Sequence, residues 1–175
     1  MPFTFLIGGA RSGKSSLAVR LASGFHGGVV VVATAEARDE EMAERIRAHR
    51  ARRPAGWATV EAPLHLLTAF ERIDVEACVI LDCVTLWVSN VLEAGTPEDE
   101  LDREARALAA SLARRDAPAF VVSNEVGLGV VPTNALARRY RDILGRVNGA
   151  FAAEAYRSFL VVAGRGLPLE DVMPG

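Results

Sequence analysis

The sequence predicts an α/β fold in which a doubly wound, mostly parallel sheet carries helices on both faces. Three observations favour this fold. Short apolar runs alternate with helical patterns along the 175 residues, and half of all residues are apolar. The runs are nearly continuous Val, Ile, Leu and Phe, which is typical of strands covered on both faces. The length suits one compact domain over residues 1–175. Right-handed crossovers would then place a ligand at the carboxyl ends of the strands.

The predicted elements alternate from the N-terminus onward. Apolar runs predict strands, with a short additional one after Trp57, at residues 3–7, 29–33, 57–61, 77–81, 119–123 and 159–163. Helical spacing predicts helices at residues 14–23, 40–50, 63–73, 98–114 and 134–156. Residues 95–97 read Gly-Thr-Pro and predict a loop, and residues 167–175 form a tail without predicted structure.

Residues 8–15 match G-x-x-x-x-G-K-[ST] between the first predicted strand and the first predicted helix. This is the context of a phosphate-binding loop, where glycines let backbone N–H groups point at a polyphosphate bound at a helix N-terminus. In such a loop the lysine reaches the β- and γ-phosphates and the following serine holds Mg²⁺. The sequence therefore predicts a P-loop NTPase-like fold with a nucleoside triphosphate bound by Gly8, Gly9, Ala10, Arg11, Ser12, Gly13, Lys14 and Ser15.

Polar residues also end two later strands. Asp82 follows an apolar strand as a Walker B acid does, so it is a candidate Mg²⁺ ligand opposite Ser15, although a helix N-cap is an alternative. Asn124 and Glu125 end the next long strand, where a functional role and a local hydrogen bond are equally open. Residues 126–132 form an apolar loop with two glycines that is suited to a large, partly apolar substrate.

The segment 39–54 concentrates charge around one histidine. Glu41, Arg45 and His49 recur at helical spacing, and five arginines lie between positions 45 and 53. A solvated helix with Glu–Arg pairs explains this pattern. The alternative is a set of arginines that neutralises phosphate charge around a nucleophilic imidazole, which is mostly neutral near pH 7.

Composition narrows the function classes. The formal net charge is −2, so nothing favours a nucleic-acid partner. We find no apolar run near the roughly 20 residues of a membrane span and no leader, so we expect a cytoplasmic protein. Cys78 and Cys83 are expected to point to opposite faces as reduced thiols, and His26 and His65 to lie at the surface.

Several motifs together resemble a known family: residues 8–15, Ala33-Thr34, the charged segment with Arg53-Pro54 and Trp57, and Asn124-Glu125-Val126-Gly127 with Val131-Pro132. They resemble the bifunctional adenosylcobinamide kinase and adenosylcobinamide-phosphate guanylyltransferase family of cobalamin biosynthesis, from the first strand to Val162. The resemblance implies two reactions. ATP or GTP phosphorylates the aminopropanol hydroxyl of adenosylcobinamide, and GMP from GTP is then joined to that phosphate with release of pyrophosphate, giving adenosylcobinamide-GDP.

The resemblance also implies site residues and assembly. His49 corresponds to the histidine that becomes guanylylated, with Lys14 as a second catalytic residue. Mg²⁺ is expected at Ser15 and Asp82, and relatives assemble as homotrimers. Nucleotide contacts beyond the phosphate loop are expected from Ala33, Thr34, Ala35, Arg50, Ala51, Arg52, Arg53, Glu61 and Asp82.

Relatives often carry two adjacent histidines where this chain has Ala48-His49, so the first imidazole is absent here. Two other functions fit the residues themselves. One is a plain small-molecule kinase that uses the arginine-rich helix as a lid, and the other is a nucleotide switch that changes a protein contact. Neither needs a covalent histidine intermediate.

Overall fold

The computed structural model describes residues 3–171 and contains a seven-stranded sheet with the order β3-β2-β4-β5-β1-β6-β7. Neighbouring strands are parallel from β3 to β6, and β7 pairs antiparallel with β6. The strands are β1 Thr4–Gly8, β2 Val29–Ala33, β3 Ala58–Glu61, β4 Cys78–Asp82, β5 Ala119–Asn124, β6 Arg157–Val162 and β7 Arg165–Leu169. The predicted mostly parallel α/β sheet is confirmed.

The helices connect the strands and cover both faces unequally. They are α1 Lys14–Ala22, α2 Glu40–Ala51, α3 Leu66–Glu71, α4 Val84–Glu93, α5 Glu98–Ala113 and α6 Ala135–Glu154. Because side chains alternate along a strand, Val79 and Leu81 join the larger core with α3 to α6, whereas Cys78 and Ile80 join a smaller core with α1. Helix α2 contributes no buried residue to either core.

Two elements were absent from the prediction. Helix α4 follows β4 after a single residue. It buries six residues, so its sequence lacks the one-sided apolar pattern that predicts a helix. Strand β7 was missed, because residues 167–169 were assigned to a tail without predicted structure. It is a fully exposed edge strand that contains Gly166 and Pro168. Such an edge lacks the alternating burial that marks a strand. Residues 172–175 of the predicted tail lie outside the described residues.

Smaller expectations can be read directly from the structure. Cys78 and Cys83 are free cysteines, and His26 and His65 are exposed. Both cysteines pack in the smaller core, so the expectation that they point to opposite faces was wrong. Among the described residues, we find no helix with the length and apolarity needed to cross a membrane.

Candidate active site

A cleft of about 1210 Å³ opens at the carboxyl ends of the central strands. This is the edge where the topology of an open α/β sheet gathers its loops. The cleft is lined by the phosphate loop, the loop after β2, one face of α2, and the ends of β3, β4 and β5. The elements predicted to carry the chemistry therefore share one cavity.

The backbone of the phosphate loop requires two of its glycines. A Cβ atom on Gly8 would overlap the Val161 carbonyl oxygen of the neighbouring strand β6. Gly13 has a φ of 98°, in the left-handed region that favours glycine, and its backbone begins α1. These two positions let the chain turn from β1 into the helix while the loop lies close to the sheet.

Lys14 is 6% exposed and points back under the loop. Its Nζ donates to the carbonyl oxygens of Gly8 and Gly9 at 2.9 and 2.6 Å, and to Ser12 Oγ at 3.3 Å. Burial lowers the pKa of the Lys14 ammonium, against the opposing influence of Cys83 and Asp82. A bound polyphosphate would offer this ammonium anionic acceptors in place of loop carbonyls.

Asp82 is the common neighbour of two predicted site residues. Ser15 Oγ donates to Asp82 Oδ1 at 3.0 Å, and His49 Nδ1 lies 3.6 Å from Asp82 Oδ2. The second distance is an electrostatic contact that is too long for a hydrogen bond. The Asp82 side chain is 14% exposed and that of His49 is 45% exposed. The fold thus brings an imidazole beside the Walker B carboxylate, 33 positions away in the sequence.

Helix α2 buries no residue, and the contacts that stabilise its first half lie within the helix itself. The Asp39 side chain caps the helix by accepting from Met42 N at 2.7 Å, and Glu41 pairs with Arg45 one turn later. Two acidic residues lie in its first turn and His49 and Arg50 in its last, which complements the helix dipole. The last turn delivers His49 to the cleft.

The arginines at the end of α2 are tied to strand β3. Arg50 pairs with Glu61, and Arg53 Nη1 donates to Thr59 Oγ1 at 3.3 Å. Burial lowers the pKa of Arg53, while Asp82 opposes that shift and Arg50 adds to it. A cation that is partly desolvated beside the phosphate loop is suited to meet an anionic ligand.

The donor set at Ser15 and Asp82 fits Mg²⁺. A hydroxyl and a carboxylate are hard oxygen ligands, and Mg²⁺ in nucleotide sites takes one or two such side chains together with phosphate oxygens and water. The described residues contain no cluster of three or more His, Cys, Asp or Glu side chains that could hold a metal ion. Ser15 and Asp82 would thus hold a metal ion together with phosphate oxygens of a bound nucleotide.

Most predicted nucleotide contacts line the cleft: Ala10, Arg11, Ser12, Gly13, Lys14, Ser15, Ala33, Ala35, His49, Arg50, Arg52, Arg53, Glu61 and Asp82. Gly8 and Gly9 lie behind this lining and hold Lys14, and Ala51 is not part of it. Thr34 is fully buried, and its Oγ1 donates to Cys83 O at 2.8 Å and accepts from Cys83 N at 2.9 Å. Its hydroxyl therefore joins the residue after β2 to the residue after β4.

The apolar loop at residues 126–132 does not line the cleft. Leu128 and Val130 are 83% and 96% exposed, and Glu125 is held locally through the Gly127 backbone. The prediction that this loop lines a substrate pocket is therefore not confirmed for this cleft.

Sequence reasoning missed several cleft residues, among them Glu36, Arg38 and Leu86. Arg38 pairs with Glu36 and Glu93, and its Nη2 donates to Asn90 Oδ1 at 3.1 Å. Asn90 Nδ2 in turn donates to Thr34 O at 2.8 Å. The sequence signal for these residues was weak, because the contacts of Arg38 with Asn90 and Glu93 join segments that are more than 50 positions apart.

Comparison with known proteins gives concordant results. The model of a family described as cobinamide kinase / cobinamide phosphate guanyltransferase matches residues 4–169. The chain is 47% identical over 167 residues to the bifunctional adenosylcobalamin biosynthesis protein CobP of Pseudomonas aeruginosa, covering 94% of this chain and 95% of that protein. It is 40% identical over 176 residues to the bifunctional adenosylcobalamin biosynthesis protein CobU of Salmonella typhimurium and to that of Escherichia coli, covering 93% of this chain and 97% of each relative. These matches favour the bifunctional interpretation over a plain kinase.

A solved structure supports the fold. An ATPase from the type III secretion system of pathogenic bacteria aligns with a TM-score of 0.51 and 12% sequence identity. The alignment covers 91% of this chain and 51% of the ATPase chain, so this chain spans about half the length of that protein. At this identity the likeness concerns the P-loop NTPase-like fold alone.

Proposed function

We propose, because the chain belongs to the cobinamide kinase / cobinamide phosphate guanyltransferase family, that it phosphorylates adenosylcobinamide with ATP or GTP and then transfers GMP from GTP to the product. The final products are adenosylcobinamide-GDP and pyrophosphate. Both steps need a bound triphosphate, and the cleft joins a phosphate loop to an arginine-rich helix end.

In the kinase step, the bond between the γ-phosphorus and the β–γ bridging oxygen breaks. A new bond forms to the oxygen of the substrate hydroxyl, whose proton passes to solvent. Backbone N–H groups of the loop and the Lys14 ammonium stabilise the charge on the phosphoryl oxygens and on the leaving diphosphate. The buried position of Lys14 strengthens this interaction, because charges interact more strongly where water is excluded.

In the guanylyl step, His49 acts as the nucleophile on the α-phosphorus of GTP. A P–N bond forms, pyrophosphate leaves, and the phosphate of adenosylcobinamide phosphate then displaces the histidine to form the diphosphate bond. Because Nδ1 faces the Asp82 carboxylate, a proton on Nδ1 leaves the lone pair on Nε2 for attack. Arg50 and Arg53 lie in the same cleft, where they would meet the charge of the phosphates.

The observation that carries this proposal is the pair of contacts to Asp82. A histidine that served only a solvated helix would have no reason to lie 3.6 Å from a carboxylate that also accepts from the phosphate-loop serine. We include Mg²⁺ in the proposal, held by Ser15 and Asp82. When bound, it would neutralise charge on the phosphate oxygens. A homotrimer, which the family resemblance implies, and a cytoplasmic location, which the sequence predicts, belong to the same proposal.

The test is covalent labelling with GTP that carries ³²P at the α-phosphorus. Wild-type protein incubated with labelled GTP and Mg²⁺ should retain label after denaturation. His49→Ala should lose the label and guanylyl transfer, because no other imidazole lies in the cleft of the described residues. Lys14→Ala should weaken both activities. His26→Ala is the matched control, since that histidine is exposed and lies outside the cleft. Full labelling of His49→Ala would exclude this histidine as the nucleophile.

A further inference from the structure

The end of strand β5 lies between the two strands that carry the phosphate chemistry. In the sheet register Val122 is opposite Asp82 on β4, and Asn124 is opposite Gly8, the first residue of the phosphate loop. Glu125 N donates to Gly8 O at 3.0 Å, so the pairing continues past the strand end. Asn124 is therefore fixed beside the loop that binds phosphate.

Buried side chains hold the backbone of Asn124 on both sides. Asn124 N donates to Thr85 Oγ1 at 2.7 Å, and Asn124 O accepts from Asn148 Nδ2 at 3.0 Å. Ser123 Oγ donates to Asn148 Oδ1 at 2.6 Å and lies 3.4 Å from Thr85 Oγ1. These partners are all buried: Thr85 is 8% exposed, Asn148 is 5% exposed and Ser123 is 0% exposed. Buried polar groups are costly unless they are hydrogen-bonded, so this network gives the strand end one defined position.

The side chain of Asn124, in contrast, makes no hydrogen bond to any residue between 3 and 171, although it lines the cleft together with Lys14 and Asp82. The side chains of the other three asparagines of the chain are hydrogen-bonded. Asn90 and Asn148 hold backbone carbonyls, and Asn134 caps α6. A carboxamide offers two N–H donors and an acceptor oxygen without a net charge. A rigid backbone with a free amide at a phosphate site is the arrangement of a group that contacts ligand.

We propose that the Asn124 amide donates a hydrogen bond to the γ-phosphoryl group in the kinase step. The inference rests on the proposed function and adds a catalytic residue to it. Asn124 lies opposite the start of the loop whose lysine reaches the terminal phosphates, and negative charge in phosphoryl transfer spreads over the γ-oxygens. A neutral donor can stabilise that charge without repelling the substrate.

The proposal separates the two activities. Asn124→Ala should lower kcat for phosphorylation of adenosylcobinamide by about 100-fold, the usual effect of removing one donor from a transition state. The KM for the triphosphate should change little, because the strongest ground-state contacts come from the loop and Lys14. Labelling of His49 by α-labelled GTP should persist, since attack at the α-phosphorus does not use the γ-phosphoryl contact. Asn124→Asp should be at least as impaired, because a carboxylate repels the phosphoryl oxygens.

Asn134→Asp is the matched control for the added charge. Asn134 is exposed, lies outside the cleft, and caps α6 through an oxygen that aspartate keeps. This variant should keep both activities, and thermal unfolding of all variants should match wild type. Kinase activity of Asn124→Ala within threefold of wild type, or equal loss of phosphorylation and labelling, would overturn the inference. Failure of wild-type protein to phosphorylate or to become labelled would instead reject the proposed function.

A second pair of variants tests how Asn124 is positioned. Thr85→Val removes the acceptor for Asn124 N and should lower kcat without raising the KM for the triphosphate, whereas Thr85→Ser should restore it. Rescue by serine would support a role for this hydrogen bond. Loss in both variants with unchanged unfolding temperature would contradict it.

Discussion

At the scale of single residues, Lys14 shows how the unliganded site is prepared for an anion. Its ammonium is buried and bonded to carbonyl and hydroxyl oxygens of its own loop. Neutral acceptors stabilise a cation less than anionic oxygens do, so burial leaves the pKa of this lysine below its ordinary value. A triphosphate would reverse that balance by favouring the charged form.

This argument predicts how nucleotide affinity depends on pH. The Lys14 charge is present below its pKa in the folded protein and is lost as pH rises through it. Since burial lowers that pKa from 10.5, affinity for ATP should begin to fall at a lower pH than for an ordinary lysine. Because only one proton is lost, the affinity for ATP should fall by no more than about tenfold per pH unit. Isothermal titration calorimetry across the alkaline range measures it.

Lys14→Arg is the control, because a guanidinium stays charged over that range. Its affinity for ATP should be lower overall but nearly constant with pH. An alkaline decline of the same size in Lys14→Arg would assign the decline to another group.

The residues that the sequence identified best are those whose role is local. The spacing of the phosphate loop contains all the information needed for Gly13, Lys14 and Ser15, because loop, helix start and ligand form one short segment. Asp82 was recognised from its strand, but its contact with His49 depends on how α2 lies over the sheet. Thr34 was expected to contact nucleotide, and only the tertiary structure reveals its hydrogen bonds with Cys83.

At the scale of elements, the turn of the hairpin formed by β6 and β7 packs against the phosphate loop. Its turn contains Ala163 and Gly164 with φ values of 51° and 75°. Gly164 N donates to Ser12 O at 2.8 Å, and a Cβ atom on Gly13 would lie 3.0 Å from Gly164 Cα. Two backbone segments therefore meet with no side chain between them, and the loop depends on the shape of this turn.

We predict that Gly164→Val weakens nucleotide binding. A β-branched residue is strained at a positive φ, so the turn should change shape and lose the hydrogen bond to Ser12. Loss of one such bond corresponds to an affinity about tenfold lower for ATP, measured by calorimetry. Gly164→Asn should bind almost normally, because asparagine tolerates the left-handed region.

Gly95→Val is the matched control for backbone strain. Gly95 has a φ of 84° in the loop before α5, with open space around its Cα and no part in the cleft. The variant Gly95→Val should lower the unfolding temperature as Gly164→Val does. Its affinity for ATP should nevertheless equal that of wild type. Equal affinity loss in both variants would show that general destabilisation, and not the hairpin, is the cause.

The elements that the sequence did not reveal share a physical reason. Strand β7 is exposed along its whole length, and α4 is buried on most of its surface, so neither shows the one-sided apolar pattern that identifies an element. The central strands were predicted well because both of their faces are covered, which makes their sequences nearly continuous apolar runs.

At the scale of the whole molecule, stability is distributed unevenly between the scaffold and the site. Four helices and one face of the sheet share the larger core, and α5 alone buries five residues. Helix α2 buries none, although it carries His49 and the arginines that end in the cleft. A helix of 12 residues held by its cap and surface ion pairs is marginal in water without tertiary packing.

This asymmetry predicts the pattern of amide hydrogen exchange. Without nucleotide, the amides of α2 should exchange at least roughly 100-fold faster than those in the middle of α5, because opening α2 exposes almost no apolar surface. Binding of α,β-methylene GTP with Mg²⁺, which cannot release pyrophosphate, should slow α2, since a ligand at about 100 times its Kd adds about 2.7 kcal/mol to every opening that abolishes binding. Helix α5 touches no part of the cleft and serves as the internal reference. Protection of α2 equal to that of α5 in the free protein would contradict the inference from burial, and exchange of α2 unchanged by nucleotide would contradict its place in the site.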